Sequence, residues 1–321
     1  MSEETKARKC VCVVVPTYNE EENVEPLAEA IAMQFARHLP AYDYEILFID
    51  NRSTDGTREK IEALCKANAR VKAIFNAGNF GQFNSPYYGL CQSTGDCAIL
   101  LCADFQDPVE LIPALLEKWE QGHRVVCAVK KESRESGMMR FLRTCYYSLL
   151  SRTSPTKQIR HFTGFGLYDR EFIQALASLD DPTPYLRGIV AELAPDHAVV
   201  EYVQPRRRAG KSSNNFCTLY DAAMQGFTTY TKFPVRLMML CGVLLLVASL
   251  AGGTVSLVQY LTRGKMALWL ILCGVGLAGA LNLMGLSVIG EYLITVRDKT
   301  LKRPLVIEER RLNFKKKDDA E

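Results

Sequence analysis

The chain has 321 residues, 48% of them hydrophobic, enough to bury one full core and, at roughly 100 to 200 residues per domain, two units. Its 39 basic and 36 acidic side chains leave a net charge of +3, too small a surplus to point to a nucleic-acid partner. Eleven cysteines without a Cys-x-x-Cys pair argue against a zinc or disulfide framework. Cys12, Cys97, Cys102, Cys127, Cys241 and Cys273 lie in apolar runs and read as small core residues of a reducing compartment.

Met1 to Lys9 is polar and lacks an apolar signal-peptide core, which predicts a domain that stays in the cytoplasm. Lys9 to Pro16 is a continuous apolar run ended by proline, the pattern of a strand buried on both faces. Asn19 is expected to cap the helix that follows, in which Val24, Leu27, Ala28, Ile31 and Phe35 recur at helical spacing. Tyr44 to Asp50 is a second strand ending in an acid. Asn51 to Thr57 then forms a turn before a helix with Ile61, Leu64 and Cys65 inward. Val71 to Phe75 is a short strand before the polar glycine loop 76–82, and Cys97 to Ala103 is the next. Strands alternating with helices imply right-handed crossovers and a mostly parallel sheet.

Leu101 to Pro108 ends a buried strand in Asp104, Gln106 and Asp107, at the sheet edge where open α/β sheets bind ligands. On an extended strand end Asp104 and Gln106 project to one side and offer hard oxygen donors to a divalent cation. A plain turn opened by Asp-Pro is the competing reading. For Asp50 the competitor is a helix cap, less apt because Asp50 still belongs to its strand.

Further on, Met138, Phe141, Leu142, Cys145, Tyr146 and Leu149 share one helical face beside Arg140 and Arg143. Such a helix either lies at a bilayer surface or packs on the domain's own core. Phe216, Leu219, Tyr220, Ala223, Phe227 and Tyr230 read as a second interfacial helix. Leu237 to Leu261 and Met266 to Gly290 are each 25 residues without a charge, long enough to span the hydrocarbon. Thr262 to Lys265 joins them into a hairpin. Lys232, Arg236, Arg297, Lys299, Lys302 and Arg303 outweigh Arg263 and Lys265 in the turn, which places both ends in the cytoplasm. Glycines in the second span would permit close helix contact within or between subunits. The division expected is thus a cytoplasmic domain over 1–232, with interfacial helices near 137–152 and 214–231, a hairpin over 233–293 and a tail over 294–321.

Pro16-Thr17-Tyr18-Asn19-Glu20, Asp50-Asn51-Arg52-Ser53-Thr54-Asp55-Gly56-Thr57 and Asp104-Phe105-Gln106-Asp107-Pro108, in this order and spacing, resemble the inverting family 2 glycosyltransferases of GT-A fold. With the hairpin, the chain most resembles the polyprenyl-phosphate group, which includes dolichyl-phosphate mannose synthases and bactoprenol glucosyltransferases. The resemblance implies a Rossmann-like α/β domain in which Pro16, Tyr18, Glu20, Asp50, Ala103 and Asp104 border a nucleotide sugar, a UDP-sugar being favoured. It implies that Asp104 and Gln106 hold Mg2+ or Mn2+ against the diphosphate, with Asp104 and Arg207 catalytic. It implies that Lys131, Arg134, Arg140, Arg143, Arg207 and Ser212 meet the phosphate of the lipid acceptor, undecaprenyl phosphate in bacteria. A plasma-membrane (inner-membrane) location, a homotetramer and a flippase partner belong to the same expectation.

Three departures from the family pattern stand out. Cys102 replaces the first of two acids around an alanine, so the metal either relies on Asp104, Gln106 and the diphosphate or binds poorly. The second motif normally has paired acids, but here Asn51 and Arg52 follow Asp50. Gly164 stands before Phe165, where many members place an acid, and nearby Asp169 is not assigned that role. A phosphate monoester is largely ionised at neutral pH and need not surrender a proton to attack. The rival readings are a catalytically silent lipid-binding or scaffolding relative, and a glycosyltransferase acting on another glycolipid or polysaccharide.

Overall fold

The computed structural model describes residues 8–132, 159–179, 181, 184–205, 268–300 and 304–314, with isolated positions between 224 and 262. Arg134, Arg140, Arg143, Arg207 and Ser212 lie outside the described residues, as do the helix expected near 137–152 and, apart from Met224, the one near 214–231.

Among the described residues eight strands make one sheet. They are β1 (Cys10–Thr17), β2 (Asp43–Asp50), β3 (Val71–Asn76), β4 (Cys97–Leu100), β5 (Val125–Glu132), β6 (Phe162–Asp169), β7 (Ala198–Val203) and β8 (Glu308–Leu312), in the order β7-β5-β6-β4-β1-β2-β3-β8. β1 pairs in parallel with β2 and β4, as do β2 with β3 and β5 with β7. β6 and β8 run antiparallel to their neighbours. Six strands therefore end, and two begin, at the same edge. The chain leaves the sheet there after β5 and β7 and returns there to start β6 and β8.

The apolar run of β1 is buried throughout, and its alternation divides it between two cores. Val11, Val13 and Val15 face α1 (Val24–His38), α2 (Thr57–Ala67) and α4 (Ile112–Glu120). Cys12 and Val14 face α3 (Gly81–Gln92), α5 (Arg170–Ser178) and α6 (Leu186–Leu193). A Cβ on Gly89 of α3 would lie 2.8 Å from Val14 Cγ1, so glycine lets this helix settle onto β1. Cys12, Cys65, Cys97 and Cys127 are buried as expected of core residues, but Cys102 is exposed.

Two local expectations are corrected. β4 stops at Leu100, so Asp104 and Gln106 sit in a turn rather than on a strand end. α1 begins at Val24 because the Asn19 side chain is used elsewhere: its Oδ1 accepts the Thr54 N–H at 2.8 Å. Residues Leu268–Thr300 form one continuous helix, α7. Among the described residues no helix is long and apolar enough to cross a membrane, and side chains along α7 are described only in part.

Candidate active site

The loops after β1 and β2 are stitched together at the edge where both strands end. Thr17 pairs with Asp50, the Asn19 N–H donates to Ser53 Oγ at 2.9 Å and the Glu20 N–H to Thr57 Oγ1 at 2.8 Å. This frame leaves Tyr18 40% exposed and Pro16 and Glu20 half-buried. An aromatic face beside half-buried polar groups suits stacking of a planar base.

Asp50 is 0% exposed. Its carboxylate accepts the Ser53 N–H at 3.1 Å and lies 3.0 Å from Arg58 Nε. Burial pushes this carboxyl up, with the Ser53 hydrogen bonds and the Arg58 charge opposing. Asn51, where the family has an acid, is buried and spoken for: Nδ2 donates to Asn79 Oδ1 and Gly81 O, and Oδ1 accepts from Phe80 N–H and Asn76 Nδ2. Arg52 donates to the Ala77 carbonyl. Asn51 and Arg52 thus bind the loop after β3.

After β4 the chain makes a tight turn through Phe105 at φ +59°. Asp104 is 5% exposed and its Oδ1 accepts the Gln106 N–H at 3.1 Å. Ala103 beside it is buried. Asp107 clamps the turn: Oδ2 accepts the Cys102 N–H at 3.1 Å and Oδ1 the Tyr202 hydroxyl at 3.0 Å. Burial raises the Asp107 carboxyl, against hydrogen bonds from Cys102 and Tyr202 and the Lys130 charge. The Cys102 thiol is raised well above its usual value by desolvation, then by the Asp107 and Asp104 carboxylates. A neutral thiol does not ligate magnesium or manganese.

The carboxylate of Asp104 and the amide of Gln106 are hard donors of the kind those cations take. Among the described residues no three His, Cys, Asp or Glu side chains gather to hold a metal. A cation on Asp104 and Gln106 would take its remaining ligands from a diphosphate and water.

The lysine pair after this turn divides. Lys130 pairs in register with Tyr202, while Lys131 falls in a bulge between β5 and β7 and points to Glu201, 3.7 Å away at the surface. Lys130 is the one whose charge acts on Asp107 and Cys102. Strand alternation carries that signal, because neighbours on a strand face opposite ways. Gly164 takes φ +104° and Asp169 caps α5 while accepting from Trp119 Nε1 at 2.7 Å, so Asp169 is structural.

The comparisons agree with this geometry. Residues 12–177 match the family described as Glycosyl transferase family 2. The chain is 30% identical over 297 residues to a bactoprenol glucosyl transferase of Shigella phage SfX, covering 92% of this chain and 97% of that protein. It is 29% identical over 303 residues to a prophage bactoprenol glucosyl transferase homolog of Escherichia coli, covering 94% and 98%. Among solved structures, glucosyl-3-phosphoglycerate synthase from Mycobacterium tuberculosis, crystallised with Mn2+, UDP and glucosyl-3-phosphoglycerate, aligns with TM-score 0.50 and 19% identity over 70% of this chain and 79% of that one. That likeness concerns the fold, a GT-A α/β domain. Motif order, sheet edge and sequence likeness converge: the chain is a glycosyltransferase and belongs to glycosyl transferase family 2.

Proposed function

We propose that this enzyme transfers one sugar from a UDP-sugar to polyprenyl phosphate, undecaprenyl phosphate in bacteria, at the cytoplasmic face of the plasma membrane. The observation that carries the reading is the gathering of Tyr18, Asp50, Asp104 and Gln106 at one sheet edge, from which the chain also departs into its basic segments. Likeness to bactoprenol glucosyl transferases over 92% of the chain supports the acceptor. The Mn2+ and UDP crystallised with the mycobacterial synthase support the donor and cation.

Tyr18 and Pro16 would flank the base, with Glu20 and Asp50 beside it. Asp104 and Gln106 would hold Mg2+ or Mn2+, which neutralises charge developing on the departing diphosphate. An oxygen of the lipid phosphate attacks the anomeric carbon as the bond to the diphosphate breaks, inverting that centre. The attacking phosphate is already ionised, so Gly164 in place of an acid leaves the step intact. Lys131, Arg134, Arg140, Arg143, Arg207 and Ser212 are the proposed acceptor contacts, and Lys130 joins them from its place beside Asp107.

For the membrane reading, the support is the pair of uncharged 25-residue runs and the exposure of Val275, Met284, Leu286 and Ile289 along α7. A run of that length, if helical at about 1.5 Å per residue, would reach across the hydrocarbon. Tetramer formation and a flippase partner remain part of the same proposal.

The test is transfer of radiolabel from a panel of UDP- and GDP-sugars into organic-extractable product. It uses purified protein, undecaprenyl phosphate and Mg2+ or Mn2+, with chelator and Asp104→Asn controls. Labelled lipid that disappears in both controls is expected. Folded protein that labels no lipid from any donor would overturn the reading.

A further inference from the structure

Arg58 stands in the first turn of α2, where the helix dipole disfavours a cation. It is held there by two carboxylates from distant parts of the chain. Nε lies 3.0 Å from Asp50 Oδ2, and Nη2 donates to Glu309 Oε2 at 2.9 Å. The Asp50 contact is off the N–H axis, so it is an ion pair rather than an aligned hydrogen bond. The guanidinium also lies over the Phe75 ring, 5.1 Å from its centroid. With its side chain only 19% exposed, Arg58 is fixed on three sides.

Glu309 is aimed by the backbone. β8 pairs Arg310 with Phe75 and Glu308 with Asn76, leaving Glu309 as the extra residue of a bulge. Bulges re-aim a side chain, and this one brings Glu309 to Arg58. The same tail offers the Ile307 carbonyl as acceptor to the Ala77 N–H at 2.9 Å, in the loop that Asn51 and Arg52 also hold.

We propose that Arg58 is a positioning residue for the nucleotide pocket, held between Asp50 and Glu309, and that the C-terminal strand β8 thereby supports donor binding. Arg58 acts on the donor through the Asp50 carboxylate, and Glu309 acts through Arg58. This rests on the reading above that Asp50 borders the nucleoside.

The experiment uses the full-length protein in detergent. It measures UDP affinity by calorimetry with MnCl2 present, and initial rates against donor concentration, for wild type, Arg58→Gln, Glu309→Gln, Glu309→Asp and the Arg58→Gln/Glu309→Gln double variant. Arg58→Gln is expected to weaken UDP and raise donor KM by about tenfold with kcat held, the pattern of lost ground-state and transition-state binding alike. Glu309→Gln should move both in the same direction by about threefold, and Glu309→Asp should restore them. The double variant should be no worse than Arg58→Gln alone, because the two residues act in one chain. Glu309 is 44% exposed at its side chain, so its variants test the idea even if Arg58→Gln fails to fold. Unchanged UDP affinity and donor KM in folded Arg58→Gln, or in both Glu309→Gln and the double variant, would overturn the proposal. Additive effects in the double variant would overturn the relay. Wild-type protein that binds no nucleoside diphosphate at all would instead bring down the donor reading on which the proposal stands.

Discussion

The Asn51 side chain donates to Asn79 Oδ1 at 2.7 Å and accepts the Phe80 N–H at 2.9 Å, so one buried amide at the end of β2 holds the loop after β3. An acid at this position, as the family usually has, would lose both Nδ2 donors and face the Gly81 carbonyl and Asn79 oxygen. Asn51→Asp is therefore expected to destabilise the protein by about 1 to 3 kcal/mol, read as a lowered melting temperature. An unchanged melting temperature would show that the loop repacks around the acid.

Cys102 behaves differently. Cys102 is an exposed residue whose side chain feels the Asp107 and Asp104 charges, so Cys102→Asp adds a third negative charge to the turn. Without metal the variant should melt below wild type, because like charges crowd. With Mn2+ it should gain more stability than wild type and reach half-maximal activity at lower metal concentration. Identical metal titrations of the two proteins would refute the assignment of the cation to this turn.

Tyr202 donates to Asp107 at 3.0 Å and packs edge-on to Phe165 at 5.5 Å. Tyr202→Phe keeps the ring contact and removes the hydroxyl from a buried carboxylate. A loss of about 1 to 3 kcal/mol is expected, with a rise in the metal requirement because the Asp104 turn is clamped through Asp107. Wild-type stability together with a wild-type metal requirement would count against the clamp.

At the opposite end of β2, burial alone would raise the Glu45 carboxyl, but the Lys72 ammonium and the Thr94 hydroxyl outweigh it and hold it below the ordinary glutamate value. A carboxyl whose folded pKa is depressed contributes stability that is complete above its unfolded pKa, about 4.3. That contribution is lost as pH falls through the folded value. Glu45→Gln should accordingly lower the melting temperature at pH 7. The gap to wild type should narrow as pH falls from about 4.3 through the folded pKa. A gap independent of pH would assign the loss to packing instead.

Four of the eight described strands, β1 to β4, were legible because they carry their own signals; β5 to β8, two of them antiparallel to their neighbours, were not. The unbroken apolar run of β1 and the acid ending β2 both reappear where expected, as does the helical spacing of Val24, Leu27, Ile31 and Phe35. The turns were less so. Asn19, Arg52 and Phe105 adopt φ of 56°, 62° and 59°, a left-handed region that arginine and phenylalanine rarely occupy. No local propensity announces such residues; the surrounding contacts impose them, at about 1 kcal/mol or more each. They follow β1, β2 and β4 at the same edge, so the departures from local rules collect at the candidate site. Glu309 was invisible for another reason. Its partner Arg58 is 251 residues away, and neither periodicity nor a motif joins them.

The position of β8 also sets an order of events during synthesis. The strand that covers the β3 edge lies at residues 308–312, beyond α7, and ribosomes add about 5 to 20 residues per second. The β3 edge therefore waits for β8, and Arg58 for Glu309, until α7 has been made, although Asp50 and Phe75 reach Arg58 much earlier. A nascent chain halted after β7 has every described strand except this last one, and exposes an unpaired strand edge of the kind that recruits chaperones or other chains.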